Sequence, residues 1–96
     1  MSDDQEHEDL IKALNHPLRR GILRRVARTG EAISPREIAA GLHQPLSNVS
    51  YHVRVLAECK AVALVRTKPV RGSMQHFYAL DLDAPWALEA LGIAPS

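Results

Sequence analysis

Residues 45–56 read Pro-Leu-Ser-Asn-Val-Ser-Tyr-His-Val-Arg-Val-Leu, and the spacing in this stretch predicts a helix from Leu46 to Glu58. Leu46, Val49, Val53 and Leu56 recur at three- and four-residue steps and form one apolar stripe. Stepping roughly 100° per residue from Val49 puts Ser47, Tyr51, Arg54 and Glu58 on the opposite face. Asn48 and Ser50 flank that face, and His52 sits nearer the stripe. The outer surface therefore offers short hydrogen-bonding side chains, a phenol and a guanidinium.

Working towards the N-terminus, Gly41 and then Gln44-Pro45 mark a turn. Before it, Ser34-Pro35-Arg36-Glu37 carries a complete helix start. Ser34 can cap free amides, Pro35 suits the first helical position, and Glu37 closes a capping box. This predicts a short helix to about Leu42, with Glu31-Ala32-Ile33 before it as a very short strand. Pro17 opens another helix, striped by Leu18, Ile22, Leu23 and Val26 and stopped at Gly30. Arg20, Arg24 and Arg28 lie on another of its faces, expected to be solvated or paired within the chain. Leu10, Ile11 and Leu14 suggest a first helix that ends before His16-Pro17.

Towards the C-terminus the period changes. Val62–Thr67 and Met74–Leu80 read as strands around a basic turn, Lys68-Pro69-Val70-Arg71-Gly72-Ser73. Gly72 supplies a position for positive φ. Alternation in the second strand is imperfect and leaves the face of Phe77 open. Asp83, Pro85 and Gly92 bracket a last short helix holding Trp86, Leu88 and Leu91.

The reading is one mainly α domain with a small β-hairpin, ordered α-α-α-α-β-β-α. Residues 1–9 form an acidic, partly frayed segment, 10–80 the domain proper, and 81–96 a short terminal helix. Two helices joined by a short turn, the second opening on small polar residues, describe a helix-turn-helix. The hairpin adds a positively charged tip.

Net charge is only +1, but its distribution is uneven. All twelve Lys and Arg fall in residues 11–80 beside three acids, a net of +9 that the two ends offset with −8. A basic centre is the electrostatic footprint of phosphate contact. The composition, 46% hydrophobic and 24% charged, is that of a soluble globular protein. No apolar run nears the roughly 20 residues of a membrane span, and the acidic N-terminus lacks a signal peptide's apolar stretch. Cys59 is the sole cysteine, so no intrachain disulfide forms. A cytoplasmic protein is expected. Neither paired carboxylates, a nucleophile–base pair nor a phosphate-cradling glycine loop is evident, so no enzyme is expected.

Three words sharpen this. Residues 15–23 read Asn-His-Pro-Leu-Arg-Arg-Gly-Ile-Leu, and 71–80 read Arg-Gly-Ser-Met-Gln-His-Phe-Tyr-Ala-Leu. With the Val-Ser-Tyr-His-Val run inside 45–56, they resemble the ArsR-like family of bacterial winged helix-turn-helix transcriptional regulators, over about residues 10–80. The resemblance implies a homodimer through the first and last helices, bound to double-stranded DNA at a pseudo-palindromic operator. It implies that helix 46–58 reads the major groove and that 66–76 form the wing. Carried over, Ser47, Asn48, Ser50, Tyr51, His52 and Arg54 face DNA, and Arg66, Lys68 and Arg71 belong to the wing. The competing role for His52 is helix packing. Repression is expected over activation, because a 96-residue chain has no spare domain for recruiting polymerase. The alternative function is a winged-helix module for protein partners.

The sequence departs from the family in places. Where many members carry a Cys-x-Cys metal site, this chain has Ser34 and Arg36, and a guanidinium repels a cation. His7, His16, His43, His52 and His76 show no paired zinc-site spacing. No metal or cofactor is expected. An unidentified small-molecule effector could sit between subunits, though no residue names it. Lys60 stands where the family usually places glycine, and left-handed backbone there would cost on the order of 1 kcal/mol.

Overall fold

In the computed structural model, which describes residues 2–93, seven elements follow in order. They are α1 (Ser2–Leu14), α2 (Pro17–Thr29), α3 (Pro35–Leu42), α4 (Leu46–Glu58), β1 (Val62–Val70), β2 (Ser73–Leu80) and α5 (Pro85–Leu91). The expected α-α-α-α-β-β-α order is the observed one.

The helix ends follow the chemistry of their caps. His16 accepts from the Leu18 amide at the start of α2, and Gly30 ends that helix at φ 71°. Ser34 and Glu37 form the reciprocal capping box on α3. His43 then turns left-handed at φ 55°, with Gln44 N–H donating to the Ala39 carbonyl at 3.1 Å. Helix α4 ends in the same way. Lys60 adopts φ 62°, and Ala61 N–H reaches back to the Leu56 carbonyl at 2.9 Å. Lys60 therefore does take the strained conformation, and the carbonyls it satisfies offset the cost.

The core gathers one stripe from each helix: Ala13 from α1, Ile22, Leu23 and Val26 from α2, Ile38 from α3, Val49, Val53 and Leu56 from α4, and Ala87 and Leu91 from α5. Ile22, Leu23, Ile38, Val49 and Leu56 are fully buried. On α2 and α4 these are positions that 3.6-residue periodicity selects, but on α1 and α5 the expected Ile11 and Trp86 are exposed and the small Ala13 and Ala87 take the buried positions.

Several details differ from expectation. The acidic segment, expected to fray, is helical from Ser2; Met1 and residues 94–96 lie outside the described residues. Acidic residues favour a helix N-terminus. Gln5 also hydrogen-bonds Asp9 at 3.0 Å, and the rings of His7 and Trp86 lie 5.2 Å apart, tying α1 to α5. Gly41 marks no turn. It lies inside α3, where a Cβ would come within 2.6 Å of the Arg25 guanidinium carbon. Leu46 leaves the core stripe and is exposed, because the chain enters α4 from Pro45 at the outer end of the helix.

The hairpin is longer and its turn tighter than expected. The strands run to Val70 and from Ser73, leaving only Arg71 and Gly72, at φ 48° and 82°, to make the turn. Two successive positive φ values suit the right-handed twist of the strands. A bulge between Leu64 and Arg66 shifts the register from Leu64↔Tyr78 to Arg66↔Phe77. Val65, the extra residue on β1, is left unpaired. Phe77 is buried. The short strand expected over Glu31-Ala32-Ile33 shrinks to a one-residue bridge, in which Ile33 pairs with Tyr78 through two 2.9 Å bonds. Beyond Val62 the side chains of β1 are exposed as far as Pro69, so the hairpin stands away from the core.

Candidate nucleic-acid interface

The α3–α4 turn fixes what α4 can present. Because Val49, Val53 and Leu56 point into the core, the helix has one rotational setting. Ser47, Asn48, Tyr51 and Arg54 are exposed, and Ser50 and His52 are half-buried. Tyr51 is 58% exposed, high for an aromatic side chain. Pro45 provides no side-chain cap, so the first amides of α4 are left without a side-chain acceptor.

Two grooves border this ridge. One, of about 980 Å³, runs between α4 and the hairpin. Ser50 and Arg54 line it from α4, Arg71, Met74, Gln75 and His76 from the hairpin, and Arg36 from the start of α3. The other, of about 610 Å³, lies on the far flank, where Asn48 and His52 meet His16, Gln44 and the start of α2. The helix residues expected to act together are thus split. Ser50 and Arg54 share a groove with Arg71, Asn48 and His52 turn the other way, and Ser47 and Tyr51 stand on the ridge between.

The wing cations differ in their freedom. Lys68 and Arg71 are exposed near the tip. Arg66 is also exposed, but its guanidinium carbon lies 4.5 Å above the Phe77 ring, a cation–π contact that fixes its direction. His52 is engaged inside the protein. Its Nδ1 lies 3.2 Å from Arg19 Nη1, and its ring centroid is 4.4 Å from that of His16. Burial, then the charges of His16 and Arg19, push its pKa below the ordinary 6.5.

The arginines of α2 do structural work. Arg20 donates to the Leu14 carbonyl at 2.7 Å and Arg24 to the Leu91 carbonyl at 2.9 Å, satisfying the last turns of α1 and α5. Both are thus paired within the chain, one of the two expected environments. Arg36, which is not among the residues expected to face DNA, lines the same groove as Arg54 and Arg71. A basic residue one step after the Pro that opens α3 was the available signal.

Among the described residues, no three His, Cys, Asp or Glu side chains lie where they could hold a metal ion together. None of the described helices is long and apolar enough to cross a membrane. Cys59 is buried, and burial raises its thiol pKa, which keeps it protonated and a weak nucleophile.

A family model described as "Helix-turn-helix domain" matches residues 14–65. Solved structures share the whole architecture. An ArsR family transcriptional regulator superposes with a TM-score of 0.65 at 22% identity, covering 91% of this chain and 82% of its own. NolR from Sinorhizobium fredii gives 0.63 at 19% identity, covering 95% and 82%. Likeness at this level of identity is likeness of fold. Among curated proteins, none matches the sequence significantly.

Proposed function

The chain belongs to the family of helix-turn-helix domains, and from that premise we propose that it is a DNA-binding transcriptional regulator, acting as a dimer and as a repressor. In this reading α4 enters the major groove. Ser47, Asn48, Ser50 and Tyr51 meet base edges or phosphates, and Arg54 takes a phosphate or a guanine edge. Arg66, Lys68 and Arg71 follow the flanking backbone or the minor groove. Phosphate would also meet the uncapped amides at the start of α4.

The observation that carries this reading is the shared groove: Arg54 of α4 and Arg71 of the wing line one continuous surface. A duplex has phosphates on either side of its major groove, and cations carried on both α4 and the wing supply partners for them. A dimer is supported by Ile11 and Trp86, which are 48% and 42% exposed on the first and last helices. Singly exposed apolar residues are common, but these two lie on elements that already touch through His7 and Trp86.

Selection of duplexes from genomic fragments by the purified protein tests the proposal. A recovered palindrome with half-sites about one helical turn apart is expected. Arg54→Ala and Arg71→Ala should each weaken binding to it. Equal affinity for selected and scrambled duplexes would mean that the fold serves a protein partner instead. Repression is checked with a promoter reporter, where loss of the protein should raise transcription.

A further inference from the structure

His52 lies on the helix assigned to DNA, yet its ring is tied inward. Arg19 is the centre of the tie. Its Nη2 donates to the Lys12 carbonyl at the end of α1 at 2.9 Å, while Nη1 sits 3.2 Å from His52 Nδ1 on α4. One α2 side chain therefore joins three helices. Its Nε is buried and makes no hydrogen bond.

The chemistry of the pair fixes the proton. A guanidinium has only donors, so His52 Nδ1 must accept, and the proton of the neutral ring sits on Nε2. A second proton would place a donor against a donor and a cation against a cation. His16 adds to this. Its Nδ1 accepts from the Leu18 amide at 3.1 Å, and its ring faces that of His52. The charged groups acting on His52 are His16, from the α1–α2 connection, and Arg19, from α2. The side chains that share its groove from α3, the turn and α4 are Leu42, Gln44 and Asn48, all uncharged, and the titratable phenol of Tyr51, also on α4, packs edge-on to its ring at 5.1 Å.

We propose that His52 is a positioning residue: through Arg19 it sets α4 against α1 and α2, and protonation of its ring releases that tie, so that acid weakens DNA binding. The proposal rests on α4 being the DNA-reading helix. It opposes the reading in which His52 meets a phosphate, because a protonated ring beside phosphate would strengthen binding in acid. The depressed pKa of His52 agrees with a ring held neutral.

Two measurements test this, the first without DNA. Imidazole titration by NMR should place His52 below the ordinary value of 6.5, and Arg19→Met should raise it. A His52 titrating at or above that value, or one unmoved by Arg19→Met, overturns the tie. The second measures affinity by anisotropy for a duplex selected from random sequence at pH 7.5. Between pH 7.5 and 5.5, wild type should lose affinity relative to His52→Asn, by less than about tenfold because a single proton on a group titrating below 6.5 can shift binding no further. That comparison removes the titration of His7, His43 and His76. The Asn carboxamide can place an acceptor where Nδ1 sits, whereas Gln places one near Nε2. His52→Asn should therefore bind better than His52→Gln at pH 7.5. Rescue by Gln instead, or a gain in affinity on acidification relative to His52→Asn, overturns the proposal in favour of direct contact. If no duplex is selected, the DNA reading fails and the positioning role in DNA binding falls with it, while the titration still decides whether the Arg19–His52 tie exists.

Discussion

Lys60 carries left-handed backbone at φ 62°, directly after the helix that bears the candidate site. The two carbonyl bonds closing that helix hold it there, but the Cβ remains crowded. Lys60→Gly should raise stability by about 1 kcal/mol, read as a higher denaturant midpoint with unchanged slope. A lower midpoint would mean that the lysine side chain supplies an interaction larger than its strain. Gly41 poses the opposite case, since its φ is helical and the issue is space. The atoms a new Cβ would meet belong to the tip of Arg25, a flexible side chain whose Nε is buried without a partner. Arg25 can swing into water, so Gly41→Ala should gain up to about 1 kcal/mol from helix propensity. A loss of that size would show that the guanidinium of Arg25 is needed where it lies.

At the level of elements, α3 is the most dependent on a single residue. It is eight residues long, and a helix this short is marginal on its own. Ser34 is 1% exposed and accepts from the Glu37 amide at 3.2 Å, while Glu37 Oε1 accepts from both the amide and the hydroxyl of Ser34. Ser34→Ala should cost about 1–2 kcal/mol. Because α3 sets the entry to α4, amide exchange in 35–48 should rise more than in α2. Uniform exchange across both helices would remove α3 from that role. The hairpin is the other element that can act alone, because its exposed β1 side chains leave its outer half little to pack against. Its shape depends on the Arg71-Gly72 turn.

For the whole molecule, charge and pH are the controlling variables. With a net +9 over residues 11–80, DNA affinity should fall steeply with salt. Removing either Arg54 or Arg71 should reduce the slope of log affinity against log salt by about one. A salt-independent affinity would contradict phosphate contact altogether. Stability should depend on pH through His52. Its folded pKa lies below the ordinary 6.5, so the unfolded chain takes up the proton more readily. The stabilisation from the neutral ring is fully present above 6.5 and is lost as pH falls through the folded value. Thermal unfolding between pH 7.5 and 5.5 should therefore drop further for wild type than for His52→Asn. Equal drops would assign the acid sensitivity to other groups.

The sequence by itself determined the element order, the Gly30 stop of α2, the capping box of α3, the bounds of α4 and the core faces of α2 and α4. These are local matters, set by periodicity and by side chains bonding their own backbone within a few residues. It misjudged Leu46, Gly41 and the hairpin turn, each of which depends on a neighbour distant in the chain or on pairing register. Only the tertiary structure decided which polar residues of α4 share a surface. Helical spacing already sets Ser50 and Arg54 on the opposite side of Tyr51 from Asn48 and His52, but only the position of the wing makes Ser50 and Arg54 a groove wall on one side. Arg19, thirty-three residues from His52 in sequence, draws that ring to the other. No local pattern encodes that contact, because it is made by the angle at which two helices cross.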